Sequence, residues 1–236
     1  MSDFFHQFLN WDDLRDSFPL VWKGFRTNIQ IFVVAEILIL IWGLVLALLR
    51  GLPGKAAAPV RWLAIAYIDF FRGIPAIVLI FIVGFGTPKT DLPFVSSFSI
   101  MQLGILALTM LYGAYVAEVY RAGIESVHWS QEAASRSLGL TRWKTMRFVI
   151  LPQAIRRVIP PLLNDFIGLQ KDSALVGVLG LREGFRAAQI YSGQHFNATP
   201  YVGLALCFIV ITIPMTRITD FLLKRDQERM RAGVTR

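Results

Sequence analysis

Residues 29–49 read IQIFVVAEILILIWGLVLALL, a run interrupted by a single charge, Glu36. A helix of about 20 predominantly apolar residues crosses the hydrocarbon core of a bilayer. Four more apolar stretches follow, at 62–86, 100–119, 162–181 and 201–223. The expected fold is an all-α membrane protein with five transmembrane helices. A tail over 1–24 precedes the bundle, a loop over 120–161 divides it, and a second tail occupies 224–236.

Composition agrees with that reading. Of 236 residues, 55% are hydrophobic and 17% charged, with a mean hydropathy of +0.53. Soluble domains carry about 25% charged residues. The net charge of +8 would suit nucleic acid in a soluble protein. Among apolar spans it suits basic loops facing anionic membrane lipid, with no nucleic-acid partner. The one cysteine, Cys207, lies inside an apolar run and reads as packing. The first residues hold Asp3, Asp12, Asp13 and Asp16 rather than a basic start, so the first run reads as a retained span and not a leader.

Five spans place the two tails on opposite sides. Seventeen Lys and Arg fall in the loop 50–72, the loop 120–161 and the C-terminal segment, against six on the other side. Basic loops stay cytoplasmic. The N-terminal tail is therefore expected outside and the C-terminal tail and long loop inside. In the N-terminal tail, Phe4, Phe5, Phe8 and Leu9 fall at helical spacing; an interfacial helix and an ordinary flexible lead-in both fit.

The long loop is polar and basic, and its centre reads QEAASRSLGLTRWKTMRFVILPQ over 131–153. Unstructured loops of that length are uncommon, and the residues favour helix. Ser130 can cap a first helix, with Glu132 in its first turn and Ala133 and Ala134 behind. Gly139 is a natural stop and Thr141 a second start, with Pro152, Pro160 and Pro161 as later interruptions. The small residues Ala133, Ala134 and Ser137 would let another surface approach closely. That surface is either a partner's groove or the underside of the chain's own bundle.

The stretch resembles the EAA loop of type I ABC importer permeases. That family's pattern is Glu-Ala-Ala, three residues, Gly, nine residues, Ile, one residue, Leu-Pro. Gly139, Val149 and Leu151-Pro152 keep its spacing, with Val149 in place of Ile. Glu132-Ala133-Ala134 lies one residue further from the glycine, so Ala133 occupies the family's glutamate position. Either Glu132 itself or a shifted helix register then makes the family's contact with the partner. FFRGIPAIVLIF (70–81), AEVYRAGIESV (117–127) and LPQAIRRVIPPLLNDFIGLQKDSALVGVLGL (151–181) resemble the polar amino acid branch of the same family.

The resemblance spans 25–223 and implies a permease subunit of a prokaryotic cytoplasmic-membrane importer of polar amino acids. It implies partners: a second permease, identical or homologous, an ABC ATPase dimer, and an external substrate-binding protein. It implies that Glu132, Ala133, Ala134 and Gly139 dock on the ATPase, which binds the ATP, while this chain binds no cofactor. The sequence has no G-x-x-x-x-G-K-[ST] loop; RGLPGKA (50–56) lacks the spacing and the hydroxyl. Neither G-x-S-x-G nor H-E-x-x-H occurs, and His6, His128 and His195 are far apart, so no catalytic or metal-binding residue is expected.

Charges inside a bilayer usually face a cavity or a partner. The fourth expected span carries Asn164, Asp165, Gln170, Lys171, Asp172 and Ser173. Asn164 and Lys171, and Asp165 and Asp172, share helix faces, whereas 170–173 would cover the whole circumference of a regular helix. That segment is expected to be shielded by protein, locally broken, or facing a wet cavity. Its polar residues line a substrate pathway or are structural. Glu118 can pair with Arg121 one turn on, and Arg72, just before Gly73 and Pro75, reads as a gate or packing element. Glu36 is free to tune the charge preference of a substrate. A gradient-driven secondary transporter or channel using Lys171 and Asp172 is the alternative.

Overall fold

The structure is a computed structural model and describes residues 6–90 and 97–234. Phe4 and Phe5 of the tail lie outside the described residues. Helix α1 runs without a break over Trp11–Arg50. The side chain of Asn10 caps it, accepting from the amides of Asp12 (3.0 Å) and Asp13 (3.4 Å). Asp12 and Asp13 in the first turn and Arg50 in the last complement the helix dipole. The expected boundary between tail and first span does not exist in the backbone, because nothing between Trp11 and Ile29 ends a helix. Pro19 sits inside α1, on its exposed side, where the freed carbonyl is not stranded.

One stripe of α1 is buried: Val21, Phe25, Asn28, Ile31, Ala35 and Ile39, three or four residues apart. The opposite face is apolar too and exposed, with Ile37 at 56%, Ile41 at 58% and Leu48 at 62%. A helix that is apolar all round belongs in lipid.

The chain bends by 107° between helix α2 (Ala58–Arg72) and the segment Ala76–Lys89, which opens with helix α3 (Ala76–Phe81). Pro75 cannot continue α2, so the stretch expected as a straight second span is two arms; α3 runs on through a wide turn (Ile82–Gly86). Helix α4 (Ile100–Glu125) begins with a capping box, Ser99 accepting from the Gln102 amide and Gln102 from the Ser99 amide. It is the centre of the bundle, and α1, α2, α3 and helix α7 (Leu151–Asp172) all pack on it. The main core joins Ile31, Ile39, Leu79, Leu108, Leu169 and Val176. Cys207 packs with Val21, Phe25 and Leu204 in a second cluster.

The long loop folds as expected into two short helices. Helix α5 (Trp129–Ser137) is capped by His128, whose Nδ1 accepts from the Ser130 amide (3.3 Å); Ser130, the expected cap, lies inside the first turn. Helix α6 (Arg142–Thr145) is capped by Thr141 and passes through a wide turn (Met146–Ile150) into α7. Pro152 stands at the start of α7, where its missing N–H costs nothing. Pro160 and Pro161 do not interrupt α7, which forfeits two internal bonds and continues.

At Ser173 the α-helix gives way to a 3-10 segment (Ser173–Leu179), so the fourth expected span is divided at its polar residues. Helix α8 (Gly184–His195) and helix α9 (Thr199–Val234) complete the chain. Among the described residues, three helices are long and apolar enough to cross a membrane, or four if the bent pair counts as one span. The expected stretch 162–181 is not among them, since half of it is polar α7 and half is 3-10.

Candidate functional site

Helix α7 presents one polar face to α4. Asn164, Asp165, Gly168 and Asp172 line a hollow of about 360 Å³ together with Tyr112 and Tyr115. Gly168 leaves room for the Tyr112 side chain: a Cβ there would stand 3.0 Å from the Tyr112 hydroxyl. That hydroxyl donates to Asp172 at 2.9 Å. Asp165 is half-buried, and its Oδ2 has no hydrogen-bond partner among the described residues.

A second hollow, about 430 Å³, adjoins the first through Tyr115 and Asp165 and reaches Arg72, Glu118 and Arg157. Arg72 lies 5.7 Å over the Tyr115 ring, and its carbonyl accepts from the Tyr115 hydroxyl at 3.4 Å. Glu118 pairs with Arg121 at 2.8 Å, as the spacing predicts, and also with Arg50 at the end of α1. Arg121 in turn reaches Glu125. Arg157 donates to the Ser126 carbonyl, tying α7 to the end of α4. Glu118→Gln is expected to lower stability by about 1 kcal/mol, since these pairs are only partly shielded from solvent. Thermal unfolding in nanodiscs checks it, with Glu125→Gln as the smaller control.

The expected pathway and gate residues thus line two neighbouring hollows, Asn164 and Asp172 the first, Arg72 and Glu118 the second, and Asp165 both. Lys171 and Ser173 do not. Lys171 is exposed on the other side of α7, beside Ala205, Phe208, Ile209 and Thr212 of α9, with no ion pair among the described residues. Ser173 is fully buried, accepts from Asn28 at 3.3 Å and donates to the Gln170 carbonyl at 2.6 Å. Glu36 is 8% exposed, and its Oε1 has no hydrogen-bond partner among the described residues.

Two groups at this site, and a third away from it, carry no local signal in the sequence. Tyr112 and Tyr115 looked like ordinary apolar content of a span, although their three-residue spacing puts both on one face. Glu183 looked like a loop residue and is fully buried. Its carboxylate accepts from the amides of Phe185 (2.8 Å) and Arg186 (2.7 Å) and from Asn28 Nδ2 (3.0 Å). Asn28 completes the circuit by accepting from the Gly184 amide at 2.8 Å. Gly24 makes room for this, because a Cβ there would stand 2.7 Å from the Glu183 carbonyl.

The long loop presents a separate surface. Glu132, Ala133 and Ala134 are exposed on α5, so they do not pack beneath their own bundle. Gly139 has φ 82, a left-handed conformation that glycine takes cheaply, and its amide donates to the Arg136 carbonyl at 3.0 Å. Buried Ser135 donates to Thr145 at 3.0 Å and braces α5 on α6. Trp129, Leu138 and Trp143 stand out at 74%, 82% and 70% exposed. These three large apolar side chains stand on an otherwise polar loop.

The profile of the family described as "Binding-protein-dependent transport system inner membrane component" matches residues 39–226. The probable glutamine ABC transporter permease protein GlnM of Bacillus subtilis (strain 168) is 36% identical over 218 residues, covering 92% of this chain and 98% of the relative. The glutamate/aspartate import permease protein GltK of Escherichia coli O6:H1 is 31% identical over 228 residues, covering 92% and 97%. A solved structure, described as an amino acid ABC transporter with histidines, superposes with a TM-score of 0.79 at 32% identity and covers 88% of this chain and 94% of that one.

Proposed function

The chain belongs to the family of inner-membrane components of binding-protein-dependent transport systems, and from that premise we infer that it is the permease subunit of an ATP-driven importer of polar amino acids. The observation that carries the reading is the polar face of α7. In a bundle built to exclude water, Asn164, Asp165 and Asp172 border two neighbouring hollows, and Asp165 keeps an oxygen without a partner among the described residues. Every amino acid brings an ammonium group, and an unpaired carboxylate is its natural acceptor.

Five crossings are assigned to α1, the bent α2–α3 arm, α4, α7 with its 3-10 extension, and α9. The asymmetry of basic residues supports an external N-terminus and a cytoplasmic C-terminus in the cytoplasmic membrane of a prokaryote. The passage forms between this chain and a second permease, identical or homologous, beneath an external binding protein. The chain itself is not catalytic and holds no cofactor. An ABC ATPase dimer hydrolyses ATP and takes hold of α5 through Glu132, Ala133, Ala134 and the turn at Gly139. Its closure moves α5, α6 and α7 as a unit and alternates which mouth is open. Tyr112 fixes the Asp172 carboxylate, and Arg72 and Glu118 border the inner mouth.

The test is uptake in proteoliposomes holding the whole complex, with the binding protein outside and ATP inside. Uptake is expected to need both and to ignore an imposed ion gradient. Asp165→Asn is expected to lower it by about tenfold, the worth of one charge-assisted hydrogen bond, without loss of the assembled complex. Uptake driven by a gradient without ATP would overturn the reading.

A further inference from the structure

A third hollow lies where α7 passes into the 3-10 segment. It is small, about 80 Å³, and sits between α1, α7 and α9. Phe25, Phe32 and Phe208 form its apolar wall, and Asn28, Gln170 and Ser173 its polar one. Gln170 is only 3% exposed. Its Oε1 accepts from Thr212 of α9 at 2.9 Å, while its Nε2 has no partner among the described residues. Turning the amide over only moves the defect: Nε2 would then reach Thr212 and Oε1 would be stranded. Two amide hydrogens buried without an acceptor are costly in any protein interior and more so within a membrane.

The space beside them is large enough to supply the acceptor. A cavity needs only about 10–15 Å³ to hold one water, together with two to four polar partners. Ser173 Oγ accepts one bond, from Asn28, and donates one, to the Gln170 carbonyl, which leaves a lone pair free. Asn28 Oδ1 likewise accepts, among the described residues, only from the Gly184 amide.

We propose that ordered water occupies this hollow, accepting from Gln170 Nε2 and donating to Ser173 Oγ. This water belongs to the joint at which α7 changes from α to 3-10. It connects the Thr212 contact on α9 to the Asn28 contact on α1, so three helices meet through it.

The test is radiolytic hydroxyl-radical footprinting of the assembled transporter in nanodiscs, read by mass spectrometry. Radicals formed from trapped water label the side chains around it. Phe25 is 1% exposed, so bulk water does not reach it. Phe25 is expected to be labelled in the wild type. The label should fall at least about threefold in Gln170→Met, which keeps the side-chain volume and removes the amide. Thr212→Val removes only the direct bond to Gln170 and should leave the label in place. Absence of label on Phe25 in the wild type, or equal label in wild type and Gln170→Met, overturns the proposal. So does a higher thermal midpoint for Gln170→Met than for the wild type, since a dry hollow filled by a lipid tail would make the amide a net liability.

Discussion

Glu183→Ala is expected to destabilise the protein by about 3–5 kcal/mol and to remove most of the folded chain from the membrane fraction. The expectation rests on what the carboxylate leaves behind. A helix cap at the surface is worth about 1 kcal/mol. Glu183 is a cap with no exposed surface, and three donors converge on it: the amides of Phe185 and Arg186 and the side chain of Asn28. No cation pairs with it among the described residues; the start of α8 supplies the compensating positive potential. Truncation strands those donors, and each buried donor without a partner costs about 1–3 kcal/mol, with partial relaxation between neighbours. Glu183→Gln, which keeps an acceptor but adds a donor among donors, should fall between the two. Thr141→Ala, the loss of an exposed cap on α6, should cost only about 1 kcal/mol or less. Thermal unfolding of the purified transporter, alongside its yield from membranes, gives the ranking. Equal midpoints for Glu183→Ala and Thr141→Ala would show that water replaces the carboxylate, contrary to its complete burial.

Gly139→Pro should reduce ATP-driven uptake by on the order of 100-fold, equivalent to about 2.7 kcal/mol of lost coupling. Proline fixes φ near −65° and has no N–H. Gly139 stands at φ 82 and donates to the Arg136 carbonyl, so neither its conformation nor its bond survives. The α5–α6 turn must rebuild, and the surface made by Glu132, Ala133, Ala134, Leu138 and Trp143 loses its shape. Gly139→Asn, which tolerates the left-handed region, is expected to keep most of the activity. The loop is exposed, so the unfolding midpoint of the membrane helices should stay within a degree or two of wild type. Co-purification of the ATPase should be lost with proline and kept with asparagine. If proline leaves both co-purification and uptake intact, the loop does not dock the ATPase.

The features legible in sequence were those fixed locally. The apolar runs at α1, α4 and α9 announce themselves by length, and the stop at Gly139 and start at Thr141 follow from residue chemistry. The polar cluster 164–173 stood out because a charge in a span is expensive. Its division did not. Lys171 and Asp172 are neighbours in sequence and face different spaces, and Ser173 turns inward because its partner Asn28 lies 145 residues away. No local pattern carries a contact of that range. Glu183 was overlooked for the same reason, since its burial depends on α1 passing close by at Gly24. The bend at Gly73–Pro75 falls inside the stretch 62–86 expected as one span, because apolar length alone does not tell a hinge from a continuous helix. The cap at His128 was missed because Ser130, the commoner capping residue, stood two places further on.

Helix α1 has 40 residues in one piece. At 1.5 Å per residue it is about 60 Å long, roughly twice the thickness of a bilayer's hydrocarbon layer. Both ends are fastened. Arg50 joins Glu118 at one, and at the other the Asn10 amide donates to Thr199 at 3.1 Å. A rod pinned at both ends behaves as a lever: tilting it by 5° about its middle carries each tip about 2.6 Å, in opposite directions. To the extent that α1 tilts as one body, a displacement of the Arg50 end is matched by an opposite one at the Asn10 end, and motion that the two ends do not share falls to the joints at Gly73–Pro75 and Ser173.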